Sequence, residues 1–135
     1  MELVGYDLNT DGVYKPGDVV YLQLWWRVDD AITADWTVFT HLLGPAKADG
    51  STVWAGRDAQ PGSGSLPTTA WAPGDMILDE YQLMLPDDIP PGEYLIEIGF
   101  YDPATGGTRV EMANPTGRDH LILGKVRVAP SNASG

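Results

Sequence analysis

The segment Asp18–Val28, with the sequence DVVYLQLWWRV, constrains the fold more than any other part of the chain. A β-strand sends successive side chains to opposite faces, so this segment divides into two sets. One set is apolar throughout: Val20, Leu22, Leu24, Trp26 and Val28. The other set is mixed in character: Tyr21, Gln23, Trp25 and Arg27. The pattern predicts a strand with one face in the core and the other at least partly in water.

Other segments rich in β-branched, aromatic or alternating residues predict further strands. They are Glu2–Leu8, Trp36–Leu43, Thr52–Arg57, Met76–Leu85, Tyr94–Tyr101, Thr108–Met112 and His120–Val128. Pro-Gly pairs at Pro16-Gly17, Pro73-Gly74 and Pro91-Gly92 are typical of tight turns that lead into strands. No segment offers a helix of three turns with caps. The sequence therefore predicts an all-β fold, an antiparallel β-sandwich of roughly seven to nine strands, Ig-like or jelly-roll-like in outline.

Length and charge limit the classes of partner. The 135 residues fit one domain, predicted at residues 1–128 and followed by a flexible C-terminal tail at 129–135. The formal net charge of −11 repels phosphate backbones and anionic headgroups, so we expect no nucleic-acid partner. No apolar segment reaches the roughly 20 residues that cross a bilayer, so we expect no direct membrane insertion. The N-terminus lacks the features of a signal peptide, and we expect a domain taken from a longer protein.

The connection between residues 58 and 75 has no strand pattern of its own. Structureless loops longer than about 12–15 residues are uncommon unless they are functional or disordered. Trp71 lies in this loop and favours partial order, because an indole ring is costly to leave in water.

The loop at residues 7–12, with the sequence DLNTDG, matches the first half of a calcium-binding loop. The candidate ligands are Asp7, Asn9, Asp11 and Asp18. Pro16-Gly17 excludes the second helix of an EF-hand, and the alternative is a polar loop between two strands. Calcium is therefore a candidate cofactor, and no other motif requires one.

No motif predicts a catalytic residue. Glycoside hydrolysis needs two carboxyl groups that face each other across a cleft of about 5–10 Å. The acidic pairs at Asp29-Asp30, Asp79-Glu80 and Asp87-Asp88 are neighbours in sequence, and on a strand such neighbours point apart. His41 and His120 are too few for a histidine-rich metal centre, and no serine lies in a G-x-S-x-G motif. We therefore expect a protein that is not an enzyme.

Aromatic residues provide the strongest indication of a binding function. Five tryptophans and six tyrosines against two phenylalanines favour rings with a polar group, which stack on sugars and anchor interfaces. The candidate carbohydrate-binding residues are Tyr21, Trp25, Trp54 and Trp71. The alternative for each of them is that a small sandwich uses a large ring to fill its core. An acidic domain with an exposed aromatic face fits a neutral polysaccharide better than an anionic one.

An ordered set of short motifs runs through nearly the whole chain, roughly from Leu3 to Val128. The motifs are Gly5-Tyr6-Asp7, Lys15-Pro16-Gly17-Asp18, Leu24–Trp26, Val38–Leu42, Asp58, Pro61, Pro67-Thr68, Trp71, Gly74, Asp79-x-Tyr81, Pro91-Gly92-x-Tyr94 and Gly99-Phe100-Tyr101-Asp102. The set resembles uncharacterised bacterial β-sandwich domains. Those domains occur at the C-terminal, extracytoplasmic ends of membrane glycosyltransferases of the mannosyltransferase type and in other surface proteins.

The resemblance implies an accessory sandwich, outside the cytoplasm or at the cell surface, that works beside carbohydrate-active machinery and carries no catalytic residue. It also implies that Asp58, Thr68, Trp71 and Asp79 form hydrogen bonds with one another that hold the long loop. Our leading hypothesis is a non-catalytic, carbohydrate-binding-like accessory module. The alternative is a structural or protein-interaction module that contacts other domains or subunits, and a hydrolase with its site in the long loop ranks last.

Overall fold

The computed structural model describes residues 2–8, 12–110 and 119–130, and these contain nine β-strands, three short 3-10 turns and no α-helix. The strands are β1 (Glu2–Leu8), β2 (Val13–Tyr14), β3 (Val19–Arg27), β4 (Thr37–Leu43), β5 (Val53–Ala59), β6 (Met76–Met84), β7 (Gly92–Asp102), β8 (Thr108–Arg109) and β9 (Leu121–Val128). The prediction of an all-β fold is confirmed.

The strands form two sheets that pack face to face. The smaller sheet has three strands in the order β1-β3-β6, and both of its pairings are antiparallel. The larger sheet has the order β2-β9-β7-β4-β5, with the short β8 paired to the end of β7. Its pairings are antiparallel except for β2 with β9, which is parallel. The architecture is a β-sandwich, as the alternation of the sequence predicts.

The two faces of β3 differ in the way the sequence predicts. The apolar set lies between the sheets and is at most 1% exposed: Val20, Leu22, Leu24, Trp26 and Val28. The larger sheet contributes a second buried row from β7: Tyr94, Ile96, Ile98 and Phe100. Both rows follow the period of two that a strand imposes, so burial of apolar area fixes which face of each strand turns inward.

Phe100 is the centre of an aromatic cluster in the core. Its ring lies 4.6 Å from that of Trp26, 5.9 Å from that of Trp36 and 6.4 Å from that of Trp71. Trp26 comes from the smaller sheet, Trp36 precedes β4, and Trp71 comes from the long loop. Tilted and edge-on ring pairs at such distances are favourable beyond the area that they bury. The cluster therefore joins both sheets and the long loop in one core.

Two of the predicted Pro-Gly turns have the same geometry. Gly17 has φ of +86° and Gly74 has φ of +91°, the backbone conformation that a type II turn requires of its third residue. In the first turn, Asp18 donates its backbone N–H to Lys15 O and accepts the N–H of Lys15 on its carboxylate. Asp75 makes the same two bonds in the second turn. Both turns therefore lead rigidly into strands of the smaller sheet.

The sequence prediction and the structure differ at the ends of the chain. The two-residue strand β2 is missing from the prediction, because so short a segment has no alternation to read. The last two residues of the predicted strand Thr108–Met112 lie outside the described residues. Ala129, placed in the predicted tail, donates its N–H to Tyr14 O and continues the pairing of β2 with β9. The rest of the predicted tail lies outside the described residues, apart from Pro130.

Candidate functional site

The outer face of the three-stranded sheet carries side chains from all three strands in register. Asp7 of β1, Gln23 of β3 and Glu80 of β6 lie side by side in one row. Tyr21 and Gln82 form the next row along the strands. We call this surface the outer face; its members on β3 and β6 are Val19, Tyr21, Gln23, Trp25, Arg27, Met76, Leu78, Glu80, Gln82 and Met84.

A groove of about 420 Å³ opens on the outer face. Its side-chain lining consists of Asp7, Tyr21, Gln23, Glu80 and Gln82, while Leu22 and Tyr81 border it from the strands themselves. The Gln23 amide donates to Glu80 Oε2 over 3.1 Å, which fixes the amide at the floor of the groove. Ligand pockets typically have volumes of about 300–1,000 Å³. The groove is therefore large enough for a small organic ligand and is lined by one ring and four hydrogen-bonding side chains.

Tyr21 and Trp25 are brought together by β3, on either side of Gln23. Tyr21 is 64% exposed and borders the groove. Trp25 is half-buried, and its ring lies across Gly5 of β1, where an added Cβ would stand 4.0 Å from the indole. The outer face therefore presents two rings that flank a polar row.

Trp54 and Trp71 do not belong to this surface. Trp71 is 3% exposed, and its indole N–H donates to Leu66 O over 2.9 Å within the core cluster. Its burial removes Trp71 from the candidate carbohydrate-binding residues. Trp54 lies on β5 of the other sheet, donates its indole N–H to Pro45 O, and has the ammonium of Lys47 4.7 Å from its ring centre. One of its faces is thus occupied, and it does not meet Tyr21 or Trp25 on the outer face.

Buried polar groups hold the long loop against β6 and against the connection between β3 and β4. Thr68 Oγ1 accepts the N–H of Trp36 over 2.9 Å and donates to Ala34 O over 2.6 Å. The Asp79 carboxylate accepts the N–H of Gly62 over 2.9 Å and the hydroxyl of Tyr81 over 2.6 Å. Of the bonds expected among Asp58, Thr68, Trp71 and Asp79, one is present, from the backbone N–H of Trp71 to Thr68 O over 3.2 Å. The side chains of Thr68 and Asp79 bond instead to other residues. Asp58 lies elsewhere, where its carboxylate accepts the hydroxyl of Tyr101 over 3.2 Å.

Asp79 is the one buried acid of the smaller sheet within the part of the chain that the structure describes, at 1% exposure. Burial raises the pKa of its carboxyl, and the hydrogen bonds from Gly62 and Tyr81 oppose this shift only in part. The indole N–H of Trp26 finds no acceptor in good hydrogen-bond geometry, yet it lies near enough to lower the same pKa slightly. Burial also raises the pKa of the Tyr81 hydroxyl far above its ordinary value, with a further contribution from Asp79.

A second cluster of charges lies on the outside of the larger sheet. His41 Nδ1 stands 3.1 Å from Glu97 Oε1, and its Nε2 stands 3.8 Å from Asp58 Oδ1. The guanidinium of Arg109 lies 4.4 Å from the ring centre of Phe39 and 3.8 Å from Glu97 Oε1. These contacts hold β8 against the sheet. His41 is a half-buried strand residue there.

The calcium ligands predicted in the first loop do not all lie in the described residues. Asn9 and Asp11 fall outside them. Asp7 stands opposite Gln23, and Asp18 lies five residues before Gln23, so the two are roughly 16 Å apart along β3 at the usual strand rise. Calcium binds its oxygen ligands at about 2.3–2.6 Å, so these two carboxylates do not converge on one ion. A calcium site in the loop between them stays a prediction.

Within the described ranges, no group of three or more histidine or acidic side chains is placed to hold a metal ion. No helix in the same ranges is long and apolar enough to cross a membrane.

Reasoning from the sequence did not identify Gln23, Glu80 and Gln82 as groove residues. Gln23 shares its strand parity with Tyr21 and Trp25, and that signal was available. To identify Glu80 and Gln82, the register between β3 and β6 must be known. That register pairs Gln23 with Glu80, 57 positions later in the sequence, and Tyr21 with Gln82, 61 positions later.

Comparison with known proteins yields a distant structural similarity. No protein-family model matches the chain, and no curated protein matches it. Among solved structures, the C-terminal domain of Wzt is similar at 14% sequence identity and a TM-score of 0.48. The alignment covers 96% of this chain and 74% of that chain. At this identity the likeness is a distant one and concerns the fold alone.

Proposed function

We propose that the protein is a non-catalytic accessory module that binds a neutral glycan on the outer face of its three-stranded sheet. The observation that carries the proposal is the groove in which the exposed ring of Tyr21 stands beside a row of carboxylate and amide groups. Trp25 extends this surface by one row along β3.

The chemistry of the groove suits a sugar. The faces of pyranose rings carry C–H groups that pack on aromatic rings, and the rim of hydroxyl groups needs hydrogen-bond partners. Asp7 and Glu80 supply acceptors, while Gln23 and Gln82 supply both donors and acceptors. Tyr21 is 64% exposed, so its ring is available for stacking.

Electrostatics favour a neutral ligand. The chain has a formal net charge of −11, and two carboxylates border the groove. Both would repel a uronic acid or a phosphorylated sugar that enters the groove. Hydroxyl groups, in contrast, form strong hydrogen bonds to carboxylates without a charge conflict.

Asp7 and Glu80 face the same groove from opposite sides of Gln23, which raises the question of hydrolysis. A glycosidase keeps its general acid protonated by placing it in an apolar or highly charged environment. Both side chains are exposed here, and Glu80 is held by the Gln23 amide. These features support binding over cleavage.

The proposed module works outside the cytoplasm or at the cell surface, within a longer protein that acts on or displays glycans. The basis for this placement is the ordered set of sequence motifs that resembles such bacterial sandwich domains. Neutral polysaccharide is the proposed partner, together with the neighbouring domains of the same protein.

Affinity electrophoresis tests the proposal. Native gels that contain mannan, dextran or a mixed-linkage β-glucan are compared with gels that contain alginate and with plain gels, each with and without calcium. We expect retardation by a neutral polymer and none by alginate. Tyr21→Ala should abolish the retardation, and Tyr101→Ala, a matched change on the other sheet, should preserve it. Release of new reducing ends from the retained polymer would contradict a non-catalytic role.

A second candidate function rests on the exposed apolar side chains of β6. Met84 is 70% exposed, and Met76 and Leu78 on the same face are also exposed. Such a row can anchor another protein domain or a second copy of the chain. Sedimentation analysis over a range of concentrations tests this candidate: an increase in mass that Leu78→Lys removes supports it, and a constant monomer mass contradicts self-association.

A further inference from the structure

We infer that the glycan runs across strand β6 into a second hollow formed by Arg57 and Ser63, so that the protein binds an extended stretch of a linear neutral glycan along its length. This inference rests on the proposed function and specifies the ligand of the same site.

The second hollow lies where the edges of the two sheets meet. It has a volume of about 260 Å³ and is lined by Arg57, Ser63, Glu80 and Gln82. Glu80 and Gln82 also line the groove beside Tyr21, so the two hollows adjoin each other across β6, with these two side chains between them. A ligand that fills both must be elongated, and a single sugar occupies only one of them.

The rim of the second hollow is held in an unfavourable backbone conformation. Ser63 has φ of +56°, the one positive value for a non-glycine residue in the described ranges. The turn is fixed from beneath, because Gly62 donates its N–H to the buried carboxylate of Asp79, which in turn accepts the hydroxyl of Tyr81. A strained residue over a buried acid costs stability, and such costs concentrate at functional sites.

Arg57 supplies the donors of this hollow. Its guanidinium reaches Ser63 Oγ over 3.4 Å, a long hydrogen bond, and forms no ion pair with any described residue. The side chain is exposed and lies in a chain with a formal net charge of −11. A guanidinium offers several donors in a fixed plane, which suits the hydroxyl and ring oxygens of a sugar.

The two hollows therefore present complementary chemistry. The groove beside Tyr21 offers a ring and mainly acceptors, the hollow beside Arg57 offers donors, and Glu80 and Gln82 connect them. A linear glycan presents the same groups repeatedly along its length. The arrangement selects for chain length, and a disaccharide should gain little from Arg57.

Competition binding with fragments of the retained polymer tests this inference. The probes are the polymer itself and its disaccharide and hexasaccharide, obtained by partial acid hydrolysis. Arg57→Ala should weaken binding of the polymer and the hexasaccharide about tenfold and leave the disaccharide unchanged. Arg127→Ala, which removes an exposed arginine from β9, is the control for net charge and should change nothing.

Ser63→Gly separates a role in binding from a role in folding. Glycine adopts positive φ without strain, so the melting temperature should stay the same or rise. The loss of the hydroxyl should still weaken binding of the hexasaccharide several-fold. Retention that Tyr21→Ala abolishes but that neither Arg57→Ala nor Ser63→Gly affects would overturn the inference and leave the proposed function intact. Failure of every polysaccharide to retain the wild-type protein would overturn both.

Discussion

Trp25 and Trp26 are adjacent in sequence and belong to opposite faces of the same strand. Trp26 is fully buried, lies 4.6 Å from the ring of Phe100 and contributes to the core. Trp25 lies half-exposed across Gly5, in a row of polar and aromatic side chains that the core does not need. Under the proposed function, one strand meets two separate demands: one parity contributes to stability and the other to recognition.

The largest difference between the two faces should be seen on truncation of Trp26. Trp26→Ala removes a large buried ring from the aromatic cluster and should lower the free energy of unfolding by about 3–5 kcal/mol. Trp25→Ala removes the same ring from the outer face and should cost far less. Urea unfolding of both variants gives the comparison, and equal losses would contradict the assignment of the two faces.

The next largest effect should come from the buried pair beneath the strained turn. Tyr81→Phe removes the hydroxyl that donates to Asp79 and leaves a carboxylate oxygen with one donor fewer. Such a change should cost about 1–3 kcal/mol of stability, because the acid stays buried. Tyr101→Phe removes a hydroxyl that donates to the half-exposed Asp58 and is the matched control, with a smaller loss expected.

Asp79 should also give the protein a measurable dependence on pH. Its folded-state pKa is raised above the ordinary value of 3.8, so the folded state holds the proton more tightly than the unfolded state. The stability that the protonated Asp79 carboxyl contributes is fully present at pH values below that ordinary pKa. It is lost as the pH rises through the folded-state pKa. Each unit by which folding raises this pKa lowers the free energy of unfolding by about 1.4 kcal/mol once the pH lies above the folded-state pKa.

Asp79→Asn removes this ionisation and tests the sign. The unfolding free energy of the variant, relative to that of the wild type, should increase from about pH 4 upward and then level off. Chemical unfolding at a series of pH values measures the difference. A relative stability that falls over this window would show that hydrogen bonds, and not burial, dominate the pKa of Asp79.

The smallest effect on stability should occur at the residue most important for the proposed function. Tyr21 is largely exposed, so Tyr21→Ala should change the free energy of unfolding by no more than about 0.5 kcal/mol. Thermal and urea unfolding provide the measurement. A loss of several kcal/mol would assign Tyr21 to the structural part of the molecule and weaken the contrast between the two faces.

Sequence patterns predict properties of single strands better than relations between strands. The parity of Val20 to Val28 and the Pro-Gly turns are local, and the structure confirms the parity and two of the three turns. The third prediction is wrong, because Gly92 has φ of +147° and already belongs to β7. The groove depends on long-range register, since Glu80 reaches Gln23 only through the pairing of β3 with β6. Asp79 lies on the same inward-facing parity of β6 as Tyr81, but its charge favours an outward position. Its hydrogen bonds to Gly62 and Tyr81 explain why it is buried, and they are seen only in the structure.

The buried position of Trp71 has a similar explanation. Its loop has no strand pattern, and nothing local to residues 58–75 shows that the ring fits beside Phe100. The resemblance to known sandwich domains pointed to ordered structure in this loop, and the bonds of Thr68 and Trp71 provide it. Tertiary packing therefore decides between a core ring and an exposed ring where composition cannot.

The most direct test of the central claim is a map of the glycan contact surface by NMR. Backbone amide spectra are recorded during titration with mannan-derived and dextran-derived hexasaccharides. We expect shifts concentrated at 21–25 on β3 and at 78–82 on β6, with amides near His41 and Glu97 on the opposite surface unchanged. Shifts that cluster on the larger sheet, or spectra that neither hexasaccharide changes, would contradict the assignment of recognition to the outer face.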